Sequence, residues 1–152
     1  MDQDSPVPSG QVAAAAVHAA GLLFVSAPAL DLEQDNTSCT GPSYACFLAQ
    51  DLAGKFAAFS NVIDLQAQSL ETTPGTYLSF VQQTAAQARA ANPNVIVLAG
   101  LSTSPDNGAY TPTVAQLSQD VSETRGLVPG YWMNIPDGNS ALAISVMKSS
   151  GV

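Results

Sequence analysis

The hydrophobic positions of this chain fall into four short apolar runs, and each is followed by a polar loop and an alanine-rich stretch. The runs occupy residues 22–28, 61–68, 95–101 and 130–135. Strands that alternate with helices at this spacing are typical of βαβ units, which place their strands in a parallel sheet. The pattern therefore predicts one α/β domain over residues 1–152, made of four consecutive β/α units.

Helix signals fill the intervals between these strands. Residues 1–10 are polar and predicted to be irregular, and a helix over 11–20 leads into the first strand. Later helices are predicted over residues 43–59, 74–91, 112–125 and 139–149. Thr73 and Thr111 each precede a proline, a combination typical of a helix cap and first helical position.

The polarity of the second strand favours one of two architectures. Ile63 and Leu65 share one face of that strand, and the polar Asp64, Gln66 and Gln68 share the other. Burying three polar side chains under a helix is costly, so a TIM-type (β/α)8 barrel, whose inner face turns polar toward the mouth, is favoured. Four units make half of such a barrel. The alternative is a small open flavodoxin-like doubly wound sheet.

Charge excludes two classes of partner. The chain has 12 acidic and 4 basic residues, for a net charge of −8. Because no basic stripe is present to neutralise phosphates, neither nucleic acid nor a membrane surface is an expected partner. No apolar run approaches the ~20 residues of a membrane span, and the start of the chain is not the basic start of a signal peptide. An export signal is therefore expected to lie outside this chain.

The two cysteines, Cys39 and Cys46, are close enough in sequence for a short disulfide. Such a bond would indicate an oxidising compartment. The alternative is a buried Cys46 beside an unrelated loop thiol.

Most catalytic chemistries lack their residues here. The single histidine, His18, precedes the first strand, so neither a zinc site nor a Ser-His-Asp triad is expected. Lys55 and Lys148 fall on helices, away from any strand where a Schiff base would form. Phosphate-binding glycine motifs are also missing from the sequence. No cofactor or metal is predicted.

Carboxylates are the remaining candidates. In a barrel, active groups lie in the loops that follow the strands, and six acidic residues fall there: Asp31, Glu33, Asp35, Glu71, Asp106 and Asp137. Paired carboxylates are typical of glycoside hydrolysis. Asp31 and Glu71 are the predicted catalytic pair, because they follow adjacent strands. Amides and aromatic rings commonly hold sugars, and the predicted substrate-binding residues are Gln66, Gln68, Ser102, Trp132 and Asn134.

Five segments carry a resemblance to a known group: AVHAAGL at 16–22, APALDL at 27–32, DLQAQ at 64–68, NPNVIVLAGLST at 92–103 and GYWMNIP at 130–136. With these, the chain resembles uncharacterised secreted actinobacterial proteins that look like glycoside-hydrolase-type (β/α) barrels. The resemblance covers nearly the whole chain and corresponds to the later half of the longer family members. It implies a fold and a secreted location, and it supplies no catalytic motif.

The sequence thus favours a secreted, glycoside-hydrolase-like protein that acts on or binds carbohydrate. Two alternatives remain at this point. One is a carbohydrate-binding or scaffold protein without catalysis. The other is a barrel fragment that needs a partner, either a second copy in a homodimer or a missing half-barrel.

Overall fold

A computed structural model describes residues 6–33, 39–73, 75–104, 110–136 and 138–151. The described residues form four strands: β1 (Val25–Ser26), β2 (Val62–Leu65), β3 (Ile96–Ser102) and β4 (Gly130–Asn134). They also form six α-helices: α1 (Pro6–Ala19), α2 (Ser43–Ala49), α3 (Leu52–Ala57), α4 (Thr76–Ala91), α5 (Val114–Thr124) and α6 (Ser140–Ser150). Two 3-10 helices, Leu30–Glu33 and Gln68–Thr72, follow β1 and β2.

The strands form one sheet in the order β1-β2-β3-β4, and every neighbouring pair is parallel. The register places Leu65 beside Ala99, and Ala99 beside Tyr131. An α/β fold with a four-stranded parallel sheet and alternating helices is therefore confirmed.

The core lies on one face of this sheet. Side chains of a parallel strand alternate between faces, and the alternate positions Ile63, Leu65, Val97, Ala99 and Leu101 are fully buried. They pack in one apolar cluster with residues of α2 to α6. We call the opposite side of the sheet the open face. It carries Val25, Ile96 and Trp132, which are 58%, 49% and 40% exposed.

Hydrogen bonds connect successive helices on the buried face of the sheet. The Asn92 amide, at the end of α4, donates to the Ala57 carbonyl of α3. Arg89 of α4 donates to the Leu127 carbonyl beyond α5. The Ser118 hydroxyl of α5 hydrogen-bonds that of Ser149 in α6. The helices therefore follow one another across the sheet in chain order.

Several predicted boundaries are wrong for identifiable reasons. The helix over 43–59 is two helices, because Asp51 adopts a left-handed conformation with φ of 53°, which aspartate tolerates better than most residues. Residues 6–10 are helical, since α1 begins at Pro6. The first strand is reduced to Val25 and Ser26.

The predicted threonine caps are also wrong. Thr73 closes the 3-10 helix with a bond to Leu70, and α4 starts instead after Gly75, whose φ is 76°. Thr113, and not Thr111, caps α5 in a reciprocal pair with Gln116. The pair satisfies two backbone donors of the first helical turn.

Gly100 of β3 is a point of close approach. A Cβ there would lie 2.7 Å from the Leu65 carbonyl oxygen and 2.7 Å from Gln68 Oε1. The turn after β2 therefore packs directly on the β3 backbone, and only glycine leaves the space for it.

We expect Gly100→Ala to lower the free energy of unfolding by about 1–3 kcal/mol, because the backbone carbonyl of Leu65 cannot move aside cheaply. Gly126→Ala is the matched control, since nothing lies within 4 Å of its added Cβ. Urea denaturation measures both variants. Equal stability of the two would contradict the close approach.

Candidate functional site

A cleft of about 430 Å³ opens at the carboxyl ends of β1 and β2. Loops at these ends of parallel strands are the usual place for ligands in α/β folds. Asp31, from the 3-10 helix after β1, is an exposed residue of the cleft wall, and Gln66 and Gln68 come from the segment after β2. The described lining consists of Leu30, Asp31, Ser43, Tyr44, Gln66, Gln68, Ser69 and Leu70.

The two glutamines belong to a hydrogen-bonded ladder that ends on Asp64. Gln68 Nε2 donates to Gln66 Oε1 at 3.2 Å, and Gln66 Nε2 donates to Asp64 Oδ2 at 3.2 Å. Asp64 is only 4% exposed. Burial raises the pKa of its carboxyl to about 6, against a smaller lowering by the Gln66 hydrogen bond. The ladder connects the cleft to a buried carboxyl in β2.

The ladder leaves two acceptor atoms without a hydrogen bond among the described residues. They are Asp64 Oδ1 and Gln68 Oε1, and both are buried. Buried polar atoms are nearly always paired in folded proteins. This part of the site therefore has a surplus of acceptors, which a donor such as a hydroxyl group or water would satisfy.

Glu71, in the 3-10 helix after β2, contacts the end of β3. Its Oε1 accepts a hydrogen bond from the Ser102 backbone N–H at 2.7 Å, and its Oε2 is buried without a partner among the described residues. Burial raises the pKa of Glu71 to about 8, the Ser102 bond opposes this, and Asp120 adds a repulsive contribution. Glu71 is therefore largely protonated at neutral pH.

Two further titratable groups interact electrostatically with Glu71. Tyr77, on α4, is 1% exposed, and its hydroxyl has no partner among the described residues. Burial, together with the charges of Glu71 and Asp120, raises its pKa well above the usual value. Asp120, on α5, has a pKa raised to about 6 by burial and by Glu123. We call Glu71, Tyr77 and Asp120 the acid cluster.

The structure brings some predicted site residues together and separates others. Asp31, Gln66 and Gln68 share the cleft, whereas Glu71 is not among its described lining residues. Ser102 is fully buried, and its hydroxyl accepts from the Ser104 N–H. Trp132 pairs in register with Gly100, and Asn134 with Ser102. Both β4 residues are exposed on the open face.

The remaining predicted residues lie elsewhere. Asp35, Asp106, Asp137 and the side chain of Glu33 are outside the described residues. His18 is exposed, and its Nε2 hydrogen-bonds Asn61 Oδ1 at 2.8 Å, an oxygen that also accepts from the Phe24 N–H. This histidine therefore supports the connection between α1 and β1. Cys39 and Cys46 are joined in a disulfide.

Sequence reasoning missed the acid cluster as a unit and placed Asp64 only on the polar face of the second strand. A signal existed for Asp120, because Leu117, Val121 and Thr124 are buried and Asp120 lies on the same helical face at three- and four-residue spacing. The link between Glu71 and Ser102 spans 31 residues of sequence, and no local pattern indicates it.

The described residues contain no group of three or more His, Cys, Asp or Glu side chains able to hold a metal ion. Among these residues, no helix has the length and apolar character needed to cross a membrane. Comparisons with protein-family models, curated proteins and solved structures found no match to this chain.

The raised pKa values predict that stability falls as pH rises. A carboxyl whose folded pKa lies above its unfolded value binds its proton more tightly in the folded state, so ionisation costs stability. The loss begins near pH 4 for Asp64 and Asp120 and is complete near pH 6. For Glu71 it runs from about 4.5 to about 8. Between pH 6 and 8, Glu71 is the carboxyl of the three that still releases its proton.

We expect Glu71→Gln to remove most of the fall in the free energy of unfolding between pH 6 and 8. At pH 8 the variant should be about 1–2 kcal/mol more stable than wild type, a figure that is reduced for the partial exposure of Glu71. The amide keeps an acceptor for Ser102 and carries no charge. Denaturant titrations at several pH values measure this. Asp31→Asn, at an exposed position, is the control and should retain the wild-type slope. A steeper slope or lower stability of Glu71→Gln at pH 8 would refute the assignment.

Proposed function

We propose that this protein binds carbohydrate in the cleft at the ends of β1 and β2. The observation that carries the proposal is the convergence of Asp31, Gln66 and Gln68 on that cleft. A sugar ring presents hydroxyl groups on neighbouring carbon atoms, and each of them can donate and accept hydrogen bonds. A carboxylate and two amides supply the complementary acceptors and donors.

The composition of the cleft supports a neutral, polar ligand. Its described lining contains no basic side chain, so a phosphate or another anion has no counter-charge there. Tyr44 and Leu30 add apolar surface, against which the C–H face of a sugar can pack.

The barrel type is part of this proposal. A doubly wound sheet changes its strand order, as in 2-1-3-4-5, and carries helices on both faces. Here the order is sequential, and the residues of α2 to α6 in the core pack on one face. The open face has apolar Val25 and Ile96 toward one end and Asn134 toward the other. These features favour half of a (β/α)8 barrel with its mouth at the cleft.

A secreted location is also proposed, and the disulfide between Cys39 and Cys46 supports it. Disulfides persist in oxidising compartments and are rare in a reducing cytosol.

We expect wild type to bind at least one member of a panel of neutral hexasaccharides of glucose, xylose, mannose or N-acetylglucosamine. Calorimetry measures the affinity, and the single tryptophan, Trp132, gives a fluorescence signal. Gln68→Ala should weaken that binding about tenfold, because it removes hydrogen bonds to the ligand.

Gln119→Ala is the matched control for this experiment. Gln119 is exposed on α5, where it bonds Glu123 within the same helix, so its loss should leave binding unchanged. If no hexasaccharide binds, or if both variants bind as wild type does, the carbohydrate site is wrong.

A second candidate function is hydrolysis of the bound sugar, and the raised pKa of Glu71, about 8, favours it. A carboxyl that keeps its proton at neutral pH is suited to protonate a leaving oxygen, while a second carboxyl group, that of Asp31, attacks or activates water.

In that case both Glu71→Gln and Asp31→Asn should lower kcat on p-nitrophenyl glycosides by about 100-fold or more. Melting temperatures taken at the assay pH separate this loss from a loss of folding. Turnover at the wild-type rate in Glu71→Gln would leave binding as the function.

A further inference from the structure

The exposed apolar side chains of this protein are not scattered. Nine large ones are exposed among the described residues, and all lie on the open face or at the two ends of the β/α layer. The open face has Val25, Ile96 and Trp132; the β1 end has Val12, Leu22 and Leu23; the β4 end has Ile135, Ile144 and Met147. The described residues of α2 to α5 contribute none, so the exposed apolar side chains mark the open face and the two ends of the layer as the surfaces that a partner would cover.

The sheet edges coincide with this surface. In the described sheet, β1 pairs only with β2, and β4 pairs only with β3. Each therefore presents a row of unpaired backbone donors and acceptors to the side where a neighbouring strand would lie. Barrel closure removes both edges at once.

The helices decide which partner fits. α1 packs on α3, with Gly10 against Phe59, and so lies at the β1 edge of the helix layer. α6 packs on α5 and lies at the β4 edge. Because α2 and α3 together fill the interval between β1 and β2, the chain supplies five helical positions for four strands.

A closed (β/α)8 barrel has eight strands and eight helical positions. This chain supplies four of the strands and five of the helical positions. Four strands and three helical positions therefore remain. A second copy would bring five helical units, and its α6 would meet α1 in the same position beside β1. A four-stranded segment that begins and ends with a strand has three helical positions, one in each interval between its strands.

On the proposed barrel, we infer that the open face and both sheet edges bind a partner segment of four parallel strands and three helices, and that α1 prevents a second copy from binding there. This partner would cover the apolar side chains at both edges. It would also complete the mouth opposite the cleft.

The test releases α1 and measures oligomeric state. Ala14 of α1 is 1% exposed, whereas its neighbour Ala13 is exposed. Ala14→Arg places a charge in the buried contact of α1 and should displace the helix. With α1 displaced, two copies supply eight strands and eight helical positions, so a defined dimer is expected. Ala13→Arg adds the same charge on the exposed side and should behave as wild type.

Light scattering after size exclusion gives the mass, and hydrogen exchange over residues 6–19 shows whether α1 has left α3. Wild type and Ala13→Arg should show no defined dimer and a monomer mass near 15.6 kDa. Gly10→Phe, whose Cβ alone would lie 2.9 Å from the Phe59 ring, is a second way to displace α1.

A defined wild-type dimer would overturn the inference, because a second copy would then be the occupant. Failure of both displaced variants to form a defined dimer would overturn it as well. Neither outcome depends on carbohydrate, so the binding proposal is judged separately by the Gln68→Ala experiment.

Discussion

Val97, Ala99 and Leu101 alternate along β3 with Leu98 and Gly100, and only the first set contributes to the apolar cluster under the helices. This one-sided burial is the constraint on which the other features depend. It fixes the register of β3 between its neighbours, since a slip of one residue would exchange the two faces. It also leaves the open face free for polar side chains, which the fully covered faces of a doubly wound sheet rarely accept.

Gly100 connects this constraint to the candidate site. The turn after β2 crosses β3 where a side chain is missing, and it brings Gln68 over the glycine. The chain then continues as a 3-10 helix, and Glu71 reaches the Ser102 N–H beyond the end of β2. An oxygen of the Glu71 carboxyl group thus takes the place of a strand carbonyl as the acceptor for Ser102. One turn therefore positions both the glutamines of the ladder and Glu71 of the acid cluster.

The two groups of polar residues differ in what they can do. The ladder reaches the cleft, where a ligand can meet Gln66, Gln68 and Asp31. In the acid cluster Tyr77 is buried and Glu71 and Asp120 are half-buried, and the cost is the desolvation of two carboxyl groups, which raises their pKa values. Such a cost is common at functional sites and also occurs in purely structural networks. A carboxyl that stays protonated limits the cost, because a neutral group is cheaper to bury than a charged one.

The sequence by itself determined the four β/α units, the parallel sheet and the positions of β3 and β4 to within a residue or so, because apolar runs and helix signals are local. It also made Asp31 a candidate through the rule that active groups lie in loops after strands, and Gln66 and Gln68 through their amide groups on the polar face of the second strand. The tertiary structure alone decided that Asp51 breaks the second helix, that Glu71 binds Ser102, and that Asp120 and Tyr77 join it. Ser102 and Asp120 are far from Glu71 in sequence, and the energies of these interactions depend on burial that no local pattern records. The tertiary structure also decided which strand edges of the described sheet lack a neighbour, those of β1 and β4, and where α1 lies. Both features follow from how the helices pack on the sheet.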